Sequence, residues 1–483
     1  MKKLLRILIY NAIVASMLLS QGCKMGKNYS RPDLNLPQVY SDSASTDTAS
    51  IVDIDWRNYF SDPNLIALID TGLNNNFDLL TASQRVAESM AFFKQSQGAL
   101  APSFSGFASA AAQDPGENSL IGRNLAAANA VADAEGSSSI DIPIEDYQLG
   151  IDMSWELDIW GRLRRMKEAA KSRLLQTEAG QRAVQTALVA QIANLYYELL
   201  SLDTQLDIVN KNIALQREAY DVSKLLKDGG RANEVGVKQL EAQLLNTMSL
   251  KPAIERQIVI TENALNLVLG RFPQPIRRAD NIMEEPLPES IQTGVPSYLL
   301  ARRPDIVEAE YGLVAANADV GAAQAAFYPA LTLSGSGFLN SFDASSFFSA
   351  ESFAYTVGAG LTAPIFQANT IRSNFNATKA RRAQALFSYQ QSVVNGFQEV
   401  SNALVSVSKQ GEVKALKIQE VDALNQAATL SNELFRSGYA TYLEVITAQF
   451  SVLQAELDLA DTQKQLLQST VDLYRALGGG WNN

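Results

Sequence analysis

From Arg162 to Lys227 the chain runs without a proline and with a single glycine, Gly180. A helix of that length spans roughly 100 Å at about 1.5 Å per residue, several times the width of a small globular domain. Leu188, Ile192, Leu195, Leu199, Leu202, Leu206, Val209 and Ile213 follow alternating four- and three-residue steps, which is the seam of a coiled coil. A second seam places Val445, Val452, Leu459, Leu466 and Leu473 every seven residues, alternating with the small residues Ala448, Ala455, Thr462 and Ser469. Large against small lets neighbouring helices approach closely. One long helix matched by two shorter ones stacked end to end predicts a pillar about as long as the helix itself. Pro252 should kink one of the shorter helices.

The pattern occurs twice. Asp78 and Asp305, Ala82 and Ala309, and Pro102 and Pro329 pair at one constant offset. Further on a second constant offset takes over: Tyr147 with Tyr355, Arg164 with Arg372, Asn194 with Asn402, Gly230 with Gly438, Gly270 with Gly478. A fixed register over about 120 residues marks two copies of one unit. The difference between the offsets falls in 103–146, where "ENSLIGRNLAAANAVADAEGSSS" reads as a longer loop in the first copy. The divisions expected are 1–22, 23–62, a first repeat at 63–272, a linker at 273–296, a second repeat at 297–478 and a tail at 479–483.

Each copy interrupts its helices with period-two stretches. Tyr147, Leu149, Ile151, Met153 and Trp155 alternate with Gln148, Gly150, Asp152 and Ser154, and Phe353, Tyr355, Val357, Ala359 and Leu361 alternate with small or polar neighbours. "LTLSGSGF" from Leu331 and the weaker "SFSGF" from Ser103 complete four strands. Apolar on one face and wet on the other is the pattern of a membrane barrel wall, although a half-buried sheet shares it. Four strands leave two open edges. Three copies give twelve strands, enough to close around a channel.

The N-terminus carries Lys2, Lys3 and Arg6, an apolar run from Ile7 to Leu19, and "SQGC" ending at Cys23, the only cysteine. This reads as a signal peptide with Cys23 as the lipid attachment site, which would anchor the mature N-terminus to a membrane. Loss of residues 1–22 removes three cations and no anions, taking the net charge from −11 to −14, which argues against a nucleic-acid partner. The chain has no histidine. Without imidazole or a free thiol, the commonest general base, nucleophile and zinc ligands are missing. No enzyme activity, metal or cofactor is expected.

The motifs "WRNYFSDPNLIALI" from Trp56, "WELDIWGRLRR" from Trp155, "LLARRPDIVEAE" from Leu299, "AAFYPALTL" from Ala325 and the terminal "LGGGW" resemble those of TolC-like outer-membrane efflux proteins. With "C..GKNYSRP" at Cys23, the likeness is to the lipoprotein branch of NodT type and spans essentially the whole mature chain. It implies a mainly α protein of two tandem repeats. Its trimer would form a twelve-stranded outer-membrane β-barrel continued by a coiled-coil periplasmic α-barrel. It implies a homotrimer docked to a periplasmic adaptor and, through it, to a resistance-nodulation-division pump in the inner membrane. It also places a periplasmic gate at the second helical tip: Gly438 at the turn, Tyr439 and Tyr442 narrowing the opening, and Glu444 in an acidic ring that favours cations. Thr447 stands where a second acid would be. The first tip keeps Gly230 but has Arg231, Glu234 and Gly236, and Arg231 or Glu234 would reach the second tip. Glu444 has a plainer reading as an acid in a first helical turn. Arg302, Arg303 and Asp305 read as a helix start, with Pro304 in its first turn. Trp56, Phe60 and Pro63 would pack the N-terminal segment on the α-barrel, and Trp155 and Trp160 suit a membrane-interface belt. Competing readings are a duct for type I protein secretion and a non-conducting coiled-coil lipoprotein.

Overall fold

The computed structural model describes residues 24–34, 37, 55–137, 139–279, 281–286 and 299–481. The signal peptide and Cys23 lie outside these residues. The described elements are α1 (Trp56–Tyr59), α2 (Pro63–Asn75), α3 (Phe77–Gly98), β1 (Ser103–Gln113), α4 (Leu120–Glu135), β2 (Ile144–Leu157), α5 (Arg162–Asp228) and α6 (Glu234–Val268). After the linker come α7 (Leu299–Arg302), α8 (Pro304–Ala325), β3 (Ala330–Ser341), β4 (Phe353–Thr362), α9 (Thr370–Arg436) and α10 (Tyr442–Ala476).

The repeat holds to the residue. α5 and α9 are both 67 residues long, α6 and α10 are both 35 long, and the ends of each pair differ by the same offset as Gly230 and Gly438. α3 and α8 are both 22 residues long and keep the offset of Asp78 and Asp305. α6 passes through Pro252 as one continuous helix. The segment read as a long loop in the first copy instead contains α4. Ser119 caps its N-terminus by accepting from the Gly122 N–H at 2.9 Å, and Gly136 closes it with φ of 68°. Alanine-rich composition then suffices to hold four turns.

The chain divides into two compact units. The first gathers described residues of 1–31, 89–173 and 313–384. Its centre is one antiparallel sheet in the order β1–β2–β3–β4. The register, Ser103 to Ser154, Tyr147 to Ser341 and Ala330 to Thr362, puts Tyr147, Leu149, Ile151, Met153, Trp155, Tyr355, Val357 and Leu361 on one face. This face is open: Ile151 is 59% and Val357 81% exposed. The other face is mainly polar or small, with Ile144 at one end of β2 and two phenyl rings near its middle. Phe107 and Phe338 flank Gly150 from the two neighbouring strands, their rings 6.3 Å apart. A Cβ on Gly150 would lie 2.8 Å from the Gly337 carbonyl oxygen, so glycine is needed where the two phenyls close over the strand. In the same unit residues 24–27 are tied down by buried Arg165, which donates to the Met25 and Gly26 carbonyls at 2.8 Å each; Lys24 pairs with Glu168 at 2.5 Å.

The second unit gathers described residues of 32–88, 174–312 and 385–483. Seam residues Leu188, Ile192, Leu199, Leu202 and Val209 of α5, and Val445, Val452, Leu466 and Leu473 of α10, are buried. The return helices end in the same way in both repeats. The Asn76 amide donates to the Val268 carbonyl at 2.8 Å, and Arg303, its counterpart in the second repeat, donates to the Ala476 carbonyl at 2.7 Å. Each side chain satisfies a carbonyl that a helix end would otherwise leave bare. Arg303 is buried and also pairs with Asp305 at 2.7 Å and Glu399 at 2.9 Å. The helix-start reading of this motif is therefore correct but partial, since Arg303 also closes α10. Trp481 completes the site, donating to the Arg302 carbonyl at 3.3 Å under the Arg182 guanidinium.

The N-terminal helices pack partly as expected, since Pro63, at the first turn of α2, is exposed. Trp56 and Phe60 are buried, and Tyr59 stacks on Tyr474 of α10 at 4.2 Å. Buried Asp62 accepts from the Tyr196 hydroxyl, which in turn accepts from the Ala279 N–H at 3.1 Å. The linker is held by Arg278, which pairs with Asp203 and Glu262. Beside this cluster Glu285 is pushed up to about 6, first by burial and then by the negative charge of Asp62. A carboxyl whose folded pKa is raised adds stability below its unfolded pKa and loses it as pH rises through about 6. Glu285→Gln is therefore expected to raise the melting temperature at pH 8 and to leave it unchanged at pH 4. A melting curve at each pH tests this, and equal shifts at both would refute it.

Candidate functional site

The two helix-turn-helix tips are built alike. At the first, Gly230 takes φ of +70°, and the Arg231 N–H bonds back to the Leu226 carbonyl at 2.8 Å. At the second, Gly438 takes φ of +81°, and the Tyr439 N–H bonds to the Leu434 carbonyl at 2.9 Å. Both are left-handed helix endings that glycine reaches without strain. The next helix then starts shortly afterwards from a capping residue. Asn233 accepts from the Gly236 N–H at 2.9 Å. At the second tip the Glu444 carboxylate accepts from the Thr441 N–H at 2.5 Å and from the Thr441 hydroxyl at 3.1 Å.

Glu444 thus occupies the third position of a capping box, and its side chain remains exposed. Tyr439 is 85% exposed at the turn. Tyr442 does something else: its ring lies across Gly236 of the first tip, where a Cβ would come within 2.7 Å of Cδ1. Gly236, which the sequence shows only as a missing acid, is the seat for an aromatic ring of the other repeat. Beneath that contact Tyr442 lines a cavity with Leu215, Val222, Leu240, Phe435 and Val445. A second cross-link joins Arg436 of α9 to Glu218 of α5 at 3.0 Å. Glu234 pairs within its own tip, with Lys227 at 2.7 Å, and Arg231 is exposed. Among the described residues of the single chain, the contacts between the two tips run through Tyr442 with Gly236 and Arg436 with Glu218, and Glu234 pairs within its own tip.

Just above the tips α5 buries Gln216 and Ser223, and α6 holds Thr247. Among the described residues no hydrogen-bond partner is in reach of either Gln216 amide atom or of the Ser223 and Thr247 hydroxyls. Unpaired buried polar atoms cost free energy in the packed arrangement, which weakens the packing of this end of the coil. Gln216→Leu is expected to stiffen it, slowing amide exchange in α5 and α6 near the tip; unchanged exchange would count against a loosely held end.

Trp155 and Trp160 sit where strands meet helices. The Trp155 indole donates to the Leu100 carbonyl at 3.0 Å. The Trp160 indole donates to the Pro329 carbonyl at 2.8 Å, and its ring stacks on Tyr328 at 4.8 Å. Both polar edges are satisfied by the protein, leaving amphipathic rings at this level.

Comparison with known proteins agrees with this architecture. The family model described as outer membrane efflux protein matches residues 68–271 and 295–479. The cation efflux system protein CusC of Escherichia coli O6:H1 is 29% identical over 464 residues, covering 95% of this chain and 96% of its own. The toluene efflux pump outer membrane protein TtgF of Pseudomonas putida is 30% identical over 485 residues, covering 98% and 97%. The solved structure of the outer-membrane channel OprN superposes with a TM-score of 0.85 at 27% identity, covering 95% of this chain and all of that one.

Proposed function

From the premise that this chain belongs to the outer membrane efflux protein family, we propose that its second helical tip, centred on Glu444 and Tyr442, is the gate of the duct. The protein is an outer-membrane exit duct of a tripartite efflux system in a Gram-negative cell, where it works as a homotrimer. Three four-stranded sheets form a twelve-stranded barrel, continued by the helical coil into the periplasm. An adaptor and an inner-membrane pump deliver small molecules to it, and it conducts them passively to the exterior. No catalytic step is needed, and a chain without histidine is suited to none of the usual ones.

The observation that carries the gate is the Tyr442–Gly236 contact. The narrow end of the tube can widen only if the two tips part, and this contact joins them. Glu444 adds charge. Three exposed carboxylates around one axis attract divalent cations and hold them. Gln at this position can still accept from the Thr441 N–H, so Glu444→Gln tests charge with the cap retained. Block of the channel by millimolar divalent cations should weaken; unchanged block would remove Glu444 from the gate. Lipid on Cys23 fits the same picture, with residues 24–27 clamped by Arg165 beside the start of α5.

Cargo does not follow from the duct. CusC is named for cations and TtgF for toluene, yet the two are 29% and 30% identical to this chain. We infer that selection is made by the pump and adaptor. The lipoprotein-type N-terminus and the match to pump-associated relatives favour efflux over type I protein secretion.

A further inference from the structure

One row of the sheet differs from the rows beside it. Across the four strands Phe107, Gly150, Phe338 and Ala354 stand side by side in register, and none of them has a polar side chain. The next row on one side is Ser105, Asp152, Ser336 and Thr356; on the other it is Ser109, Gln148 and Asn340. Both of those rows are polar throughout. Alternation along the strands puts all three rows on the face opposite Leu149, Ile151 and Val357, which is the lipid side of the wall. They therefore line the lumen.

The two phenyls make one aromatic surface. Their centroids are 6.3 Å apart and their planes meet at 49°, near enough to touch and too tilted for either ring to cover the face of the other. Both are half-buried, so part of each ring stays open to the channel. Shielding a glycine in a strand is one structural task for a phenyl. It accounts for Phe338, whose Cβ lies 2.3 Å from where a Gly150 Cβ would stand. It does not account for Phe107, because the three atoms nearest that point belong to Phe338 and Gly337. A second ring in a wet lumen gains nothing from water. One step along β2, about 7 Å away, the Asp152 carboxylate is exposed. An arene that carries a positive charge matches both rows at once: the phenyls take its ring or the face of its cation, and Asp152 takes its charge.

We propose that Phe107 and Phe338, with Asp152 beside them, form a transit site for small aromatic cations inside the barrel. Three-fold symmetry repeats the site at one level, giving a collar of phenyl rings, two from each of three copies. The proposal rests on the trimeric duct and adds a surface that cargo touches on its way out. Pump and adaptor choose what enters; the collar acts on what they deliver. A site on a conducting path must bind well enough to be entered and weakly enough to be left. Two tilted rings cover one side of a flat molecule and leave its other side wet, which keeps the contact brief.

The test uses the purified full-length trimer in lipid nanodiscs. The probe is benzyltrimethylammonium carrying an aryl diazirine, whose fixed charge keeps it out of the hydrocarbon. After irradiation, peptide mass spectrometry should find label concentrated on β1 and β3 around Phe107 and Phe338. Unlabelled benzyltrimethylammonium should reduce this labelling roughly tenfold, a factor worth about 1.4 kcal/mol, at a concentration where tetramethylammonium leaves it unchanged. Phe107→Ser with Phe338→Ser, which copies the neighbouring rows, should lose the label, and Phe107→Tyr with Phe338→Tyr should keep it. Equal competition by the two ammonium ions overturns the proposal, as does label spread evenly along the lumen strands. If the serine variant does not assemble, the competition in the wild type decides. Conductance of the same wild-type trimer separates the two readings: a trimer that conducts without preferential labelling loses the collar and keeps the duct, and one that neither conducts nor takes label loses both.

Discussion

Gly478→Val should leave almost no folded protein in the outer membrane. Gly478 has φ of +97°, a region that a β-branched residue enters only with strain. A Cβ there would stand 2.8 Å from the Arg302 carbonyl oxygen and 3.1 Å from the Arg303 nitrogen. Those atoms cannot retreat, because Arg303 is buried and fixed by Ala476, Asp305 and Glu399. Strain and overlap together should cost on the order of 3–5 kcal/mol, a large share of what an ordinary domain has to lose. Gly270 stands in the same relation to Asn75 in the first repeat and should behave alike. Arg303→Ala is the milder companion, stranding a helix-end carbonyl and the partner of Glu399 at roughly 3 kcal/mol. Melting curves and the yield of trimer from membranes check all three. A Gly478→Val trimer with wild-type melting would show that the closure of α10 on α8 does not hold the repeat together.

Tyr442→Ala should open the tip, and it should do so far more than Arg436→Ala. The ion pair of Arg436 with Glu218 is more than half exposed on both sides, and pairs of that kind contribute at most about 1 kcal/mol, less as salt rises. The Tyr442 ring covers Gly236 and packs beside Leu240, Phe435 and Val445 in the wall of a mixed polar and apolar cavity, so its removal costs about 2 kcal/mol or more. A difference of that size changes the open fraction tenfold or more. Cells producing the Tyr442→Ala duct should become sensitive to a large hydrophilic antibiotic that the outer membrane otherwise excludes. Arg436→Ala should matter only at low ionic strength. Equal and small effects of the two would mean that the tips are held elsewhere.

Much of this architecture is legible in the sequence, for physical reasons that differ by element. Helices α5 and α10 announce themselves because seam residues repeat without proline over many turns. The strands at 147–155 and 353–362 are legible because their two faces meet different solvents. α4 is not, since an alanine-rich surface helix has no seam; its cues are only Ser119 before it and Gly136 after it. The tips are half legible. Gly230 and Gly438 mark left-handed turns that local chemistry demands. The meeting of Tyr442 with Gly236 depends on how α6 and α10 lie side by side, and no local pattern carries that register. The absence of a side chain at Gly236 is its only trace. Arg303 is a similar case: its place before Pro304 is visible in sequence, but its second task, capping α10 at Ala476, requires knowing where the second repeat ends.

The duct itself is tested most directly by single-channel recording of the purified trimer in a planar bilayer, wild type beside Tyr442→Ala. A small wild-type conductance that rises severalfold in the variant, with block by divalent cations relieved in Glu444→Gln, is the predicted result. A bilayer that stays silent with both wild type and the loosened tip would contradict a conducting duct and leave a coiled-coil lipoprotein in its place.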